Sequence, residues 1–224
     1  MKILIVAATQ MELNLLTEHL KGYLSSAESK SYIINSKEIK LCVTGVGMAS
    51  SAHALTKELC NNHYDIVIQA GVGGSFDKSI SLGSVVKVQS EQYGDLGAED
   101  HNNYLDIMDM GLIEKNSYPF SSGKLTNPGN KLYYSLQLPE VSSLSVNRVS
   151  GNERTIERLK TEYNCQVESM EGIALHYVCL QEHIPFIQLR SISNYVIPRD
   201  KSQWQMKEAI IALNNCLIEI INMA

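Results

Sequence analysis

The sequence predicts an α/β fold in one domain over residues 1–224, and three observations carry that expectation. Residues 2–8 and 65–70 are continuous apolar runs, the pattern of strands covered by helices on both faces. Between and after them, apolar residues recur at helical spacing over 10–20, 49–61, 171–182 and 203–222. A chain of 224 residues with 44% hydrophobic and 19% charged side chains can also bury a substantial core.

Composition narrows the partners. A formal net charge of −5, without a basic or aromatic stripe, argues against a nucleic-acid binder. Five cysteines, at 42, 60, 165, 179 and 216, form no CxxC pair. Cys60, Cys179 and Cys216 fall in apolar helical patterns, which predicts reduced, buried thiols and no zinc site. The apolar start is too short for a signal peptide and no stretch could span a membrane, so a cytoplasmic protein is expected. Nothing calls for a metal or cofactor.

After the first strand, Thr9 and Glu12 have the spacing of a capping box at the head of a helix through Leu13, Leu16 and Leu20. Residues 31–35 and 38–44 read as a hairpin around Asn35-Ser36-Lys37, followed by Gly45-Val46-Gly47 and the helix Ala49 to Asn61. The strand 65–70 is expected to end in a loop, Gly71-Val72-Gly73-Gly74-Ser75, where glycines let a ligand approach the backbone. Neither glycine cluster completes G-x-G-x-x-G and no Walker lysine follows, so a dinucleotide or P-loop site is disfavoured.

Ser84 to Glu91 alternates as a strand, and Gln92 to His101 reads as a polar loop without the i, i+4 ligand spacing of a metal site. Residues 102–143, interrupted by Pro119, Pro128 and Pro139, read as long connections that cover the site or contribute to a subunit contact. Leu144 to Val149 is a strand leading through Ser150-Gly151-Asn152 to a helix with Ile156, Leu159 and Tyr163. Cys165 to Glu168 is a short strand. Pro185 to Ile192 is a buried one, and the stripe Ile210, Leu213, Leu217, Ile221 makes the last helix core.

Three polar residues stand where chemistry is expected. Glu12 and Glu171 each sit in the first turn of a helix after a strand, where the helix start favours an ionised carboxylate. Ser169 is the expected N-cap of the second helix, which turns Met170, Ala174, Tyr177 and Val178 to one face. Asn194 leaves the end of the Pro185 strand, and in open α/β sheets ligands bind at the carboxyl ends of strands. Capping and turn chemistry explain each residue singly.

Their wording points further. Ser-Met-Glu-Gly-Ile-Ala-Leu-His-Tyr-Val-Cys, from Ser169, resembles the Met-Glu-Gly helix of the nucleosidase and nucleoside phosphorylase family, and Leu-Arg-Ser-Ile-Ser-Asn resembles its catalytic strand end, there more often Ser-Asp. Asp95-Leu-Gly-Ala-Glu99 looks like the branch of that family that hydrolyses futalosine. The resemblance implies a three-layer α/β/α nucleoside phosphorylase-like fold with a central mixed sheet, a small nucleoside as substrate and a homo-oligomer. It implies Glu12 as the base that activates water, Glu171 and Met170 on the ribose, Asn194 on the departing purine, and Gly73, Asn152 and Thr155 lining the nucleoside pocket. The substrate it implies is futalosine, an inosine derivative of an alternative menaquinone pathway, with hypoxanthine released.

Three rivals remain. A phosphorylase would need cations for phosphate, whereas Phe76 to Gly83 holds Lys78 and no arginine. A non-catalytic nucleoside sensor would not need Glu12. A methylthioadenosine-type nucleosidase differs in the base it releases, which turns attention to Asn194.

Overall fold

The computed structural model describes residues 1–26, 31–101 and 103–223. Its strands are β1 (Lys2–Ala7), β2 (Leu24–Ser26), β3 (Ser31–Ile34), β4 (Lys37–Val43), β5 (Ile66–Ser75), β6 (Val85–Tyr93), β7 (Gly97–Asp100), β8 (Asn103–Asp106), β9 (Leu125–Thr126), β10 (Glu140–Ser145), β11 (Val167–Ser169) and β12 (Phe186–Tyr195). The helices are α1 (Asn14–Leu20), α2 (Met48–Asn61), α3 (Lys131–Ser135), α4 (Glu153–Tyr163), α5 (Gly172–Gln181) and α6 (Met206–Met223).

One mixed sheet runs β11-β10-β6-β12-β5-β1-β4-β3-β2, with β9 beside β6, while β7 and β8 form a separate hairpin. Two parallel blocks, β12-β5-β1-β4 and β6-β10-β11, meet in antiparallel pairs at β12–β6 and at β11–β5. The second meeting closes β5, β12, β6, β10 and β11 into a ring. β1 alternates between the two cores, as period-2 geometry requires. Ile3, Ile5 and Ala7 pack with Leu13, Leu16, Leu213 and Leu217 of the α1 and α6 side. Leu4 and Val6 pack with Leu55, Leu175 and Val178 of the α2 and α5 side. Each such buried aliphatic side chain is worth roughly 1.5–3 kcal/mol relative to exposure. Three layers result, the architecture expected.

The differences from the sequence expectations have physical causes. Gly71 to Ser75 is not a loop, because β12 pairs with β5 through to Ser75 and keeps it extended. Gln92 and Tyr93 belong to β6, and Gly97 to Asp100 pairs with β8 as a hairpin. The strand expected at Leu144–Val149 starts earlier, at Glu140, where it finds a partner in β6. Gln10–Leu13 is a 3-10 turn ahead of α1. Asn35 and Ser36 both take positive φ, the geometry of a tight two-residue hairpin turn. Cys60 is exposed, against the expectation of burial, and the other cysteines are at least half-buried; no disulfide forms among the described residues. Tyr177 is 39% exposed, so it does not share the buried face of Ala174 and Val178. Asn102, first of the region read as long connections, lies outside the described residues.

Candidate active site

Glu12, Glu171 and Asn194 emerge at the carboxyl-terminal ends of β1, β11 and β12 respectively. Glu12 is buried, 6% exposed as a residue, and its carboxylate accepts three hydrogen bonds. Its Oε2 accepts the backbone N–H of Thr9 at 2.9 Å and the Thr9 hydroxyl at 2.8 Å. Its Oε1 accepts the N–H of Val72 at 3.2 Å, from the far end of β5. The return leg of the expected capping box is therefore present, and it aims the carboxylate at β5.

Glu171 occupies the N-cap position of α5, one residue earlier than the first-turn placement expected. Ser169 ends β11 and is not the cap residue, yet its Oγ accepts the N–H of Gly172 at 3.3 Å. The next amide, Ile173 N–H, goes to Ser145 Oγ of β10 at 2.8 Å. Two serines from neighbouring strands thus satisfy donors that every helix start leaves open. The Glu171 carboxylate turns away from its own helix to accept the N–H of Gly47 at 2.9 Å. Gly47 is the N-cap of α2, so a second helix start faces this anion. Burial pushes the Glu171 carboxyl above the ordinary carboxylate range; Arg190 and the Gly47 amide oppose that shift, and Glu12 adds to it.

Arg190, which the sequence reading passed over, lies at the centre. It is 1% exposed, and its Nη2 donates to Gln69 Oε1 at 2.8 Å and to Ser169 Oγ at 3.4 Å. Gln69 in turn donates to the Glu171 backbone carbonyl at 3.4 Å. Gly71 is the register partner of Arg190 across β5 and β12. A Cβ built on Gly71 would stand 2.4 Å from Arg190 Nη1 and 3.3 Å from Glu12 Oε1. Only a glycine lets the guanidinium and the carboxylate share that space. The signal was available, since an arginine inside the apolar run Phe186 to Ile192 has to be paired.

Asn194 is half-buried opposite Gly74. Its Nδ2 donates to the Tyr195 carbonyl at 3.1 Å, and its Oδ1 accepts the Ser193 hydroxyl at 2.9 Å. A carbonyl accepts only, so the amide orientation is determined. One N–H and one oxygen lone pair remain for a ligand.

The other expected residues are placed differently. Gly73 lies in β5 with its carbonyl 3.2 Å from the Ser193 hydroxyl, whose single proton goes to the nearer Asn194 Oδ1, and a Cβ there would meet Glu168 O and Val167 at 3.1 Å. Packing against β11 accounts for that glycine. Met170 is half-buried between Ser169 and Glu171. Asn152 is the N-cap of α4, its Oδ1 accepting Thr155 N–H at 2.9 Å. That oxygen is committed to the helix. Asn152 and Thr155 line a cavity of about 1020 Å³ with Asp95, Tyr104, Ser150 and Arg158, and none of Glu12, Glu171 or Asn194 lines it.

Comparison with known proteins identifies the family and the fold. The family described as the phosphorylase superfamily matches residues 2–222. A futalosine hydrolase of Thermus thermophilus is 31% identical over 173 residues, 76% of this chain and 75% of that protein. One of Streptomyces coelicolor is 28% identical over 190 residues, 79% and 76% of the two chains. A 5'-methylthioadenosine/S-adenosylhomocysteine nucleosidase of Staphylococcus aureus is 25% identical over 198 residues, 85% of each. The fold matches the native structure of the futalosine hydrolase of Helicobacter pylori at a TM-score of 0.81 and 17% identity, over 100% of this chain and 98% of that one. With a closed mixed sheet, a Met-Glu-Gly turn at the end of β11 and a match over residues 2–222, the chain belongs to the phosphorylase superfamily, and its resemblance within it is to the futalosine hydrolases.

Proposed function

We propose that this chain is an N-ribosyl hydrolase that cleaves futalosine to hypoxanthine and dehypoxanthine futalosine in menaquinone biosynthesis. The observation that carries the reading is the convergence of Glu12 and Arg190 on the space beside Gly71, with Glu171 and Asn194 at neighbouring strand ends. Cleavage of an N-ribosyl bond passes through an oxocarbenium-like state, as glycoside hydrolysis does. Glu12 is the base that takes a proton from the attacking water. Glu171, beside Met170, holds the ribose hydroxyls and faces the growing positive charge. Asn194 receives the departing purine.

Hydrolysis is favoured over phosphorolysis by charge. The site does contain a cation, Arg190, but its Nη2 is engaged by Gln69 and Ser169, and both Glu12 and Glu171 stand near it. A phosphate there would meet two carboxyl groups.

The Asn194 amide bears on which base leaves. Hypoxanthine protonated at N7 shows one donor, N7–H, and one acceptor, O6, which match the free lone pair of Oδ1 and the free N–H of Nδ2. Protonated adenine shows two donors, which an amide cannot both accept. The futalosine hydrolase relatives agree with the 6-oxo choice, and the methylthioadenosine nucleosidase relatives keep the 6-amino alternative in the test.

A homo-oligomer belongs to the same proposal, supported by the exposed apolar residues Leu105, Met110, Leu112 and Tyr118 of the region between β7 and β9. Incubation with futalosine, inosine and methylthioadenosine, with and without phosphate, tests the function. Free hypoxanthine from futalosine, independent of phosphate, is expected. A ribose-1-phosphate product, or adenine released faster than hypoxanthine, would overturn it.

A further inference from the structure

Beneath the first turn of α5 runs a buried line of polar groups that the proposed chemistry leaves unused. Glu91 of β6 is 0% exposed, and its Oε1 lies 2.7 Å from the side-chain amide of Gln188 on β12. Its Oε2 accepts the Ser145 hydroxyl at 3.0 Å, and Ser145 Oγ in turn accepts Ile173 N–H. On the other side of Gln188 stands the fully buried ring of His176, whose Nδ1 is 2.9 Å from the carbonyl of Leu125. With the Gln188 nitrogen turned to Glu91, two buried atoms lack partners: Gln188 Oε1 and His176 Nε2.

These two orphans have a common solution. The Leu125 carbonyl can only accept, so the His176 proton sits on Nδ1. Burial holds the ring's pKa down at about 3, so His176 is neutral and Nε2 is a bare acceptor. Gln188 Oε1 is an acceptor too. Rotating the Gln188 amide by half a turn, which exchanges two atoms of nearly the same shape, lets its nitrogen donate to His176 Nε2. Its oxygen then faces Glu91 Oε1. Two oxygens hold a hydrogen-bond distance only when one carries a proton, and Glu91 is the group that can carry it.

We propose that Glu91 is a positioning residue for nucleoside cleavage, buried as a neutral carboxylic acid, whose chain of hydrogen bonds from the Leu125 carbonyl to Ile173 N–H fixes the first turn of α5 and with it Glu171. Every member is then satisfied: Leu125 O, His176, Gln188, Glu91, Ser145 and Ile173 N. Burial also drives the Glu91 carboxyl upward, the bonds from Gln188 and the serines and the charge of Arg190 only opposing it. The α5 turn rests directly on this pair. A Cβ on Gly172 would stand 2.0 Å from Glu91 Oε1 and 2.3 Å from Gln188 Nε2, so the glycine of Met-Glu-Gly is the seat for the acid.

The catalytic half of this proposal rests on the nucleosidase reading above; the protonation half does not. Infrared difference spectra of the wild type and Glu91→Gln at neutral pH, in H₂O and D₂O, test the proton. The expected result is loss of one carbonyl band of a protonated carboxyl; loss of an ionised carboxylate band instead would overturn it. Kinetics test the positioning on any nucleoside the wild type turns over. Glutamine reproduces the donor and acceptor of the neutral acid, so Glu91→Gln should restore kcat and KM to within about threefold of wild type. Glu91→Leu and Ser145→Ala, scored per folded protein, should raise KM about tenfold or more, in line with one misplaced buried polar contact. Equal KM values across the three variants would remove the positioning role. Should the wild type cleave no nucleoside, the functional reading fails while the infrared result still decides the state of Glu91.

Discussion

Asn214, at the middle of α6, donates its side-chain Nδ2 to the backbone carbonyl of Glu12 at 3.0 Å across a separation of 202 residues. The same amide accepts Leu16 N–H at 2.9 Å through Oδ1. The turn carrying the proposed base is thus clamped to the last helix by one fully buried side chain. Replacing Asn214 by Ala strands a buried N–H, at a cost of about 1–3 kcal/mol. Thermal denaturation should show a lower Tm, and kcat should fall more than KM rises, because the clamp holds Glu12 and not the sugar. An unchanged kcat in folded Asn214→Ala would mean that the clamp serves stability alone.

Glu12→Gln keeps the shape of the side chain and removes its basicity. General base help is worth about 10²–10⁴-fold. The variant should lose turnover by a factor in that range while binding the nucleoside nearly as tightly, which single-turnover kinetics beside equilibrium binding would separate. A Kd that rises as steeply as kcat falls would assign Glu12 to binding.

Asn194→Asp exchanges the donor of the amide for an acceptor. On matched 6-oxo and 6-amino nucleosides, the ratio of kcat/KM should move toward the 6-amino substrate by roughly tenfold to a hundredfold, the cost of a mispaired buried polar group. The new oxygen also faces the Tyr195 carbonyl that Nδ2 now contacts, so the variant should melt earlier. A constant ratio would show that Asn194 does not read the purine.

His176 gives the protein an acid-sensitive stability. Burial depresses its pKa to about 3 from an ordinary 6.5, so the unfolded chain takes up a proton that the folded one refuses. Its contribution is complete above the unfolded value and is lost as pH falls from about 6.5 toward 3, with a slope of up to about 1.4 kcal/mol per pH unit. Denaturant titrations of His176→Phe over that window should show a flatter acid limb than wild type. Parallel limbs would place the acid sensitivity elsewhere.

The positions of Glu12, Glu171 and Asn194 were legible because each lies at or just after a strand end in the chain itself, where local grammar marks the position. The hairpin turn at Asn35 and Ser36 and the core stripe of α6 were legible for the same reason. Arg190, Gln69, Gln188 and Glu91 were not, because each lies in a run that reads simply as strand and meets its partners across the sheet. Gln69 and Gln188 are register neighbours on β5 and β12, a relation no spacing along the chain reveals. Asn152 shows the reverse error. A polar residue after a strand suggested a ligand contact, and its side-chain oxygen turned out to cap α4. Gly71 to Gly74 misled for a related reason, since glycines that admit an arginine and a neighbouring strand look like glycines that admit a ligand.

Strand β11 has three residues, yet it is hydrogen-bonded on both edges, to β10 and to β5. Its alternation points Glu168 to Ser150 and Ser169 to Arg190. A slip of one residue would invert those faces and carry Met170 and Glu171 to the wrong side of the ring. Such a slip must break two ladders at once, so the strand works like a key held in two wards of a lock. Insertions or deletions should therefore be tolerated in the hairpin β7–β8, and rejected anywhere between Val167 and Gly172.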